Sequence, residues 1–338
     1  MLETNRRDFL KFRPGPSTPE GFWLHVNRKA MACKFEVTLP GSSESGVSLA
    51  NEALDTVDRI EQQLSVFRAD SEISLLNQEA ATRLVEVEPT VFELLSLCKI
   101  LHRETEGAFD ITAGPLTRCW GFLKRQGRLP EQDEIDRAMA VVGSEKLLLD
   151  SSTRTVCFSE NGVEINLGSI GKGYALDRIA SYFVAHSEPS LLNAAGSSFR
   201  ATGSGANQEG WVVGLRDPRA KTKRFGVLRL RDCAMSTSGS EEQFFESGGR
   251  RFGHIIDPRT GWPSEDVTSV TVVANSAAIS DALATAFFVA GREMAERYCA
   301  SHSEILVILF EKKAAVPVVI GSHSGCKVES LAGKASKS

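Results

Sequence analysis

Residues 275–291 (NSAAISDALATAFFVAG) constrain the fold of this chain more than any other stretch. Asn275 and Ser276 supply capping side chains at its start and Gly291 a stop at its end, so its boundaries as a helix are marked. Apolar residues occupy nearly every face, and such a helix must be covered all round. It is too short to span a bilayer and is interrupted by Ser280, Asp281 and Thr285. The cover must therefore come from the rest of the chain. Its 338 residues exceed the length at which one hydrophobic core usually stops growing, which predicts two packed subdomains or one large domain of two halves.

Inside that helix Asp281 and Thr285 share one face, and an unpartnered buried carboxylate is costly. Two solutions are open. A hard cation such as Mg²⁺ takes a carboxylate, a hydroxyl, backbone carbonyls and phosphate oxygens. Alternatively, Asp281 meets a basic side chain while Thr285 bonds back to the carbonyl of Asp281.

Charge limits the partners. Lys and Arg total 39 against 43 Asp and Glu, a net charge of -4 with no long basic block, which excludes general electrostatic affinity for nucleic acid or an anionic membrane. No transmembrane segment is expected. The 7 cysteines are scattered and never form C-x-x-C, which argues against a zinc ribbon or a disulfide framework and for a reducing compartment.

Residues 4–11 (TNRRDFLK) resemble a twin-arginine export signal, yet the apolar segment of about 7–15 residues that should follow is replaced by FRPGPSTPEG. Residues 1–20 are accordingly expected to be a flexible segment with a vestigial signal. Residues 21–322 are the globular domain, and 323–338 a small, polar, disordered tail. The expected location is the cytoplasm, or the periplasm if the degenerate signal works.

Between these ends, strand-like and helix-like stretches alternate without a solenoid period. Strands are expected over 32–39, 211–215, 227–230, 269–274, 305–310 and 316–320. Helices are expected over 47–64, with Val47, Ala50, Leu54, Val57 and Leu64 as the apolar face, and over 91–105 and 174–184. The 70–74 stretch reads as loop or helix cap, and the turns at 107–110 place Asp110 in a connection.

Two further segments carry chemistry. Residues 166–173 (NLGSIGKG) leave an apolar run and enter a helix, so the glycines, the helix amides and Lys172 form either an anion cradle or a structural turn. They match neither a Walker loop nor a dinucleotide fingerprint. Thr237-Ser238-Gly239 is followed, after a hairpin-like stretch, by residues 254–263 (HIIDPRTGWP). There His254 is a general base or a structural histidine, with Asp257 a weaker candidate base.

Taken in order, these segments resemble the FAD:protein FMN transferase family, also called ApbE-like proteins. The matching stretches are Met31-Ala32-Cys33, Ser65-Val66-Phe67, 71–77 (SEISLLN), 107–116 (GAFDITAGPL), Trp120-Gly121-Phe122, 166–177, 193–196 (NAAG), Thr237-Ser238-Gly239, 254–261 and 281–285 (DALAT). The resemblance implies an α+β fold of two duplicated antiparallel sheet-and-helix halves packed as one globular unit. It implies FAD contacts at Met31, Ala108, Phe109, Asp110, Asn166, Lys172, Thr237, Ser238, His254 and Ile255. Mg²⁺ would be held by Asp281, Thr285 and the backbone carbonyl of Ser169. The implied reaction is Mg²⁺-dependent transfer of FMN from FAD to a Thr or Ser hydroxyl of an acceptor flavoprotein with release of AMP; His254, Asp281 and Lys172 are its catalytic residues. The chain departs from the family at Asn166, where an aspartate is usual, and has Ser169 in place of alanine. The alternatives are an FAD pyrophosphatase giving FMN and AMP, or an FAD-binding protein without turnover.

Overall fold

The computed structural model describes residues 22–43, 45–205, 209–220 and 223–331; the twin-arginine-like motif lies outside them. The described chain opens on a hairpin, β1 (Trp23–Ala30) and β2 (Cys33–Pro40). Its two turn residues, Met31 and Ala32, both have positive φ (50 and 56), the conformation that matches strand twist. Then come α1 (Gly46–Leu64), α2 (Glu72–Glu79), β3 (Val85–Glu86), α3 (Pro89–Glu104), α4 (Gly114–Cys119) and α5 (Gln132–Met139). The strands β4 (Leu147–Asp150) and β5 (Thr155–Phe158) precede α6 (Gly171–Ala185) and a second hairpin, β6 (Ser190–Ala194) and β7 (Ser198–Thr202). The second part has β8 (Trp211–Arg216), β9 (Arg224–Leu230), β10 (Ala234–Gly239), the hairpin β11 (Phe244–Ser247) and β12 (Arg250–Gly253), and β13 (Val267–Ala274). It ends with α7 (Ala277–Ser301), β14 (Ile305–Glu311), β15 (Val318–Ser322) and β16 (Cys326–Leu331).

One eight-stranded sheet runs β1-β2-β6-β7-β10-β13-β14-β15, antiparallel at every junction. The fold is the expected α+β arrangement, and its two halves repeat one plan. In the first, the pair β1-β2, helices α1 and α6, and the pair β6-β7 succeed one another. In the second, β10-β13, α7 and β14-β15 do so, with α7 broken into two helical pieces where Gly291 takes φ 76 and ψ -165. The apolar 275–291 helix thus stops where its glycine predicts.

Burial follows from this layering. Helices α1, α6 and α7 cover one face of the sheet with side chains such as Leu54, Leu176, Leu283 and Phe287. The other face packs Phe310, Ile308 and Met235 against Trp211, Leu228 and Leu230 of the small sheet β16-β9-β8. With both faces covered, β13 and β14 are buried along nearly their whole length, as the continuous apolar run of β14 requires. A third cluster, built on Trp120, Phe122 and Phe252, joins α4 and α5 to the β11-β12 hairpin.

Two expectations are corrected. Val47 is exposed, because the buried arc of α1, from Leu49 to Leu64, is centred about a quarter turn away from it. The ordered chain does not stop at residue 322: residues 326–331 form β16, paired with β9 (Cys326↔Leu230). That strand is held chiefly by backbone pairing, which leaves little apolar signature. Residues 332–338 lie outside the described part. All seven cysteines are free. Among the described residues no helix is long and apolar enough to cross a membrane.

Candidate active site

The site forms where the N-termini of α6 and α7 meet. A Cβ on Gly173 would stand 2.1 Å from the carbonyl oxygen of Ala277, so only glycine lets the two helices approach this closely. The approach is secured by two carboxylates acting in opposite directions. Asp177 on α6 accepts from the Ala277 and Ala278 amides (2.8 and 2.9 Å) and from Ser276 Oγ (2.6 Å), capping α7. Asp281 on α7 accepts from the Gly173 amide (3.1 Å) at the start of α6.

Asp281 is 6% exposed and also accepts from Ser198 Oγ (3.1 Å), with Lys172 Nζ at 3.5 Å. Thr285 Oγ1 donates back to the Asp281 carbonyl (3.3 Å) and lies 3.3 Å from Ser238 Oγ. The basic side chain and the back-bond that the sequence left open are therefore both present. The base is Lys172 itself, and Lys172, Asp281 and Thr285 all border one cleft of about 820 Å³. Burial works against the Lys172 ammonium, but Asp281 and Glu242 outweigh it and hold the group protonated above its ordinary value.

Opposite, the 166–170 turn is closed by Asn166, whose Oδ1 accepts from the Gly168 amide (2.9 Å). Asn77 fixes the approach to that turn by accepting from the Ile165 amide (2.8 Å) and donating to its carbonyl (2.9 Å). Either Asn or Asp at position 166 supplies the oxygen this turn uses. Gly168 and Ser169 border the cleft.

His254, half-buried beyond β12, shares its Nδ1 with the Gln243 carbonyl (3.1 Å). If Nδ1 carries the hydrogen, as that acceptor requires, Nε2 is the basic nitrogen. Burial lowers the His254 pKa below its ordinary value and Lys172 adds to this, while the Gln243 carbonyl opposes. Both lowering effects favour the neutral ring. Asp257, the weaker candidate base, is instead committed to Arg259, accepting from its amide (2.9 Å) and its guanidinium (2.9 and 2.8 Å).

Of the other sequence-predicted residues, Ala108, Phe109, Asp110, Thr237, Ser238 and Ile255 all border the cleft. The Asp110 carboxylate, however, turns inward. It accepts from Thr112 (2.8 and 2.7 Å) and Ser144 (3.0 and 2.8 Å) and faces His102 Nδ1 at 3.2 Å. Burial opposes its charge, but His102 and Thr112 prevail and hold its pKa below the ordinary value. Asp110 thus shapes the cleft wall from behind. Met31 packs toward the start of α6, where its Cε would meet a Cβ on Gly171 at 3.2 Å, and the cleft at that corner is bordered by Lys29 and Ala32. Burial pushes the Cys33 thiol up to about 11, which disfavours its thiolate.

Sequence reasoning missed Glu242, Lys124 and Arg125 as site residues, and gave Phe67 no role. Phe67 is 71% exposed at the cleft, a large aromatic left uncovered beside a polar cavity. Glu242 sits in the polar run 240–243, which carries no periodic signal. Desolvation by the surrounding protein raises its pKa above the ordinary value and Asp281 adds to this, with Lys172 pulling the other way.

Among the described residues no group of three or more His, Cys, Asp or Glu is arranged to hold a metal ion. The donors that are present, the Asp281 carboxylate, the Thr285 hydroxyl and the Ser169 carbonyl, are hard oxygens. They fit a cation such as Mg²⁺, which commonly takes one or two carboxylates and completes its shell with water and ligand phosphates.

The ApbE family matches this chain over residues 31–309. The FAD:protein FMN transferase of Treponema pallidum is 32% identical over 257 residues, covering 72% of this chain and 71% of that protein. That of Klebsiella pneumoniae is 30% identical over 248 residues, covering 73% and 77%. Among solved structures, the ApbE protein of Thermotoga maritima superposes with a TM-score of 0.81 at 28% identity, covering 89% of this chain and 97% of that one. The flavin transferase ApbE from Vibrio cholerae does so at 0.78 and 26%, covering 90% and 98%.

Proposed function

From the premise that this chain belongs to the ApbE family, we propose that it is an FAD:protein FMN transferase, moving FMN from FAD to a Thr or Ser hydroxyl of an acceptor flavoprotein and releasing AMP, with Mg²⁺ as cofactor. The observation that carries the proposal is the meeting of Asp281, Lys172 and the α6 N-terminus in one cleft, with His254 on the same cavity.

The Lys172 ammonium, at the positive end of α6, binds and orients the diphosphate of FAD. Asp281, Thr285 and the Ser169 carbonyl would hold Mg²⁺, which when bound offsets negative charge on the diphosphate oxygens. His254 Nε2 accepts the proton of the acceptor hydroxyl. That oxygen forms a bond to the phosphorus of the FMN phosphate as the bond from phosphorus to the bridging oxygen breaks, and AMP leaves with the electron pair. Gly173 and Asp177 keep the two helix starts, and hence Lys172 and Asp281, in register.

The test is incubation with FAD, MgCl₂ and a candidate acceptor, followed by in-gel flavin fluorescence and AMP chromatography. Labelled acceptor and AMP are expected. AMP alone would select hydrolysis by water, and neither product would select a binding protein. Asp281→Ala should abolish Mg²⁺-dependent turnover in a folded protein, and retained turnover refutes the assignment of Asp281.

A further inference from the structure

The β11-β12 hairpin is a two-stranded sheet, and such a hairpin needs anchoring by the rest of the protein. Gln243 stands at its open end, one residue before β11. The Gln243 main-chain carbonyl accepts from both the His254 amide (3.1 Å) and His254 Nδ1 (3.1 Å), which uses the two lone pairs of one oxygen. The side chain of the same residue donates from Nε2 to the carbonyl of Phe122 (3.1 Å), tying the hairpin to a turn 121 residues earlier in the chain. A carbonyl can only accept, so this partner fixes which end of the amide faces it. The Phe122 carbonyl is itself held in the single helical turn Phe122–Lys124, where it also accepts from the Arg125 amide (3.0 Å). The buried Phe122 ring stands edge-on to the His254 imidazole, with ring centres 6.4 Å apart.

A neutral imidazole is basic at one nitrogen only, and the bond made by the other nitrogen decides which. If Nδ1 lost its acceptor, the hydrogen could settle on Nε2, and the ring would then present a donor where a base is needed. We propose that Gln243 is a positioning residue: its side-chain clamp on the Phe122 carbonyl holds in place the main-chain carbonyl that keeps the hydrogen of His254 on Nδ1 and leaves Nε2 to take the proton of the acceptor hydroxyl. The proposal rests on the transferase reading for the use of Nε2, and adds to it the residue that sets the tautomer of the base.

The test is Gln243→Met, which keeps an unbranched side chain of similar length and removes the donor. Proton–nitrogen NMR of protein labelled at its histidine nitrogens reads the tautomer, the His254 signals among the 6 histidines being those lost in His254→Gln. Steady-state FMN transfer with MgCl₂ reads kcat and the KM for FAD separately. In the unaltered protein the neutral ring of His254 should carry its hydrogen on Nδ1. In Gln243→Met the hydrogen should spread over both nitrogens and kcat should fall by about tenfold, the scale of one hydrogen bond, with the KM for FAD unchanged. Hydrogen on Nε2 in the unaltered protein overturns the proposal, whether or not the variant folds. So does an Nδ1 signature retained in full by the variant, whatever its kcat. A raised KM for FAD with kcat retained overturns it too, by giving Gln243 to the substrate. If the unaltered protein transfers no FMN, the transferase reading falls, and the nitrogen spectra still decide whether Gln243 sets the tautomer.

Discussion

Gly173→Ala sets two effects of opposite sign against each other. Alanine is the better helix former by about 1 kcal/mol, so intrinsic propensity says the substitution stabilises. Packing says otherwise, because the new methyl would stand 2.1 Å from the Ala277 carbonyl oxygen and 2.8 Å from the Ala278 Cα, both backbone atoms that cannot rotate aside. The starts of α6 and α7 must separate by roughly 1 Å, at an overpacking cost of about 1–3 kcal/mol in so dense an interior. The separation also stretches the 3.1 Å bond from the Gly173 amide to Asp281, a charge-assisted contact contributing about 1.5–3 kcal/mol. The net expectation is a loss of about 2–4 kcal/mol, or a fall in Tm of roughly 3–6 °C for a chain of 338 residues. Because Lys172 and Asp281 sit on the displaced turns, turnover should fall by about 10²-fold. Calorimetry and AMP release on purified protein read both. An unchanged or raised Tm with full turnover would refute the claim that close helix contact organises this site.

The rate of FMN transfer should rise from acid pH and level off with a midpoint below 6.5, since His254 has a lowered pKa and is active when neutral. His254→Gln should lose about 10²–10⁴-fold together with that acid limb; a midpoint above 6.5, or an acid limb surviving in the variant, counts against His254 as the base. Asp110→Asn tests the paired groups behind the cleft wall by urea unfolding across pH. Asp110 has its pKa held below the ordinary value, so its stabilisation is full above about 3.9 and is lost as pH falls through the folded value. Burial opposes the His102 charge, yet Asp110 raises its pKa overall, so its stabilisation is full below about 6.5 and is lost as pH rises through the folded value. The substitution should flatten both limbs and lower the plateau between them by about 1–3 kcal/mol, and parallel pH curves for the two proteins contradict the pairing.

What could be read from the chain alone divides along physical lines. The 275–291 helix, its stop at Gly291 and the need to neutralise Asp281 were legible because burial on all faces and a carboxylate inside them are both written locally. The neutralising partner was not, since Lys172 reaches Asp281 across 109 residues of chain and only the fold supplies that proximity. Asp110 was legible as a turn residue, but the inward turn of its carboxylate was not, because its partners Ser144 and His102 come from other segments. β16 left little trace because backbone pairing holds it, and Glu242 left none because a carboxylate in a polar run reads as surface.

The duplication of the fold explains why the site lies where it does. Each half contributes a helix that begins under the sheet, and the two starts meet near the middle of the eight strands, where β7 of the first half pairs with β10 of the second. Two helix N-termini brought together are two partial positive charges, an arrangement that costs energy unless anions lie between them. Asp177 and Asp281 are those anions, each rooted on one helix and bonded to the start of the other. Asp177 is consumed in capping α7, accepting three hydrogen bonds. Asp281 accepts one amide and one hydroxyl and leaves its remaining field to Lys172 and the cleft. The same packing requirement thus yields one structural carboxylate and one that borders the cavity.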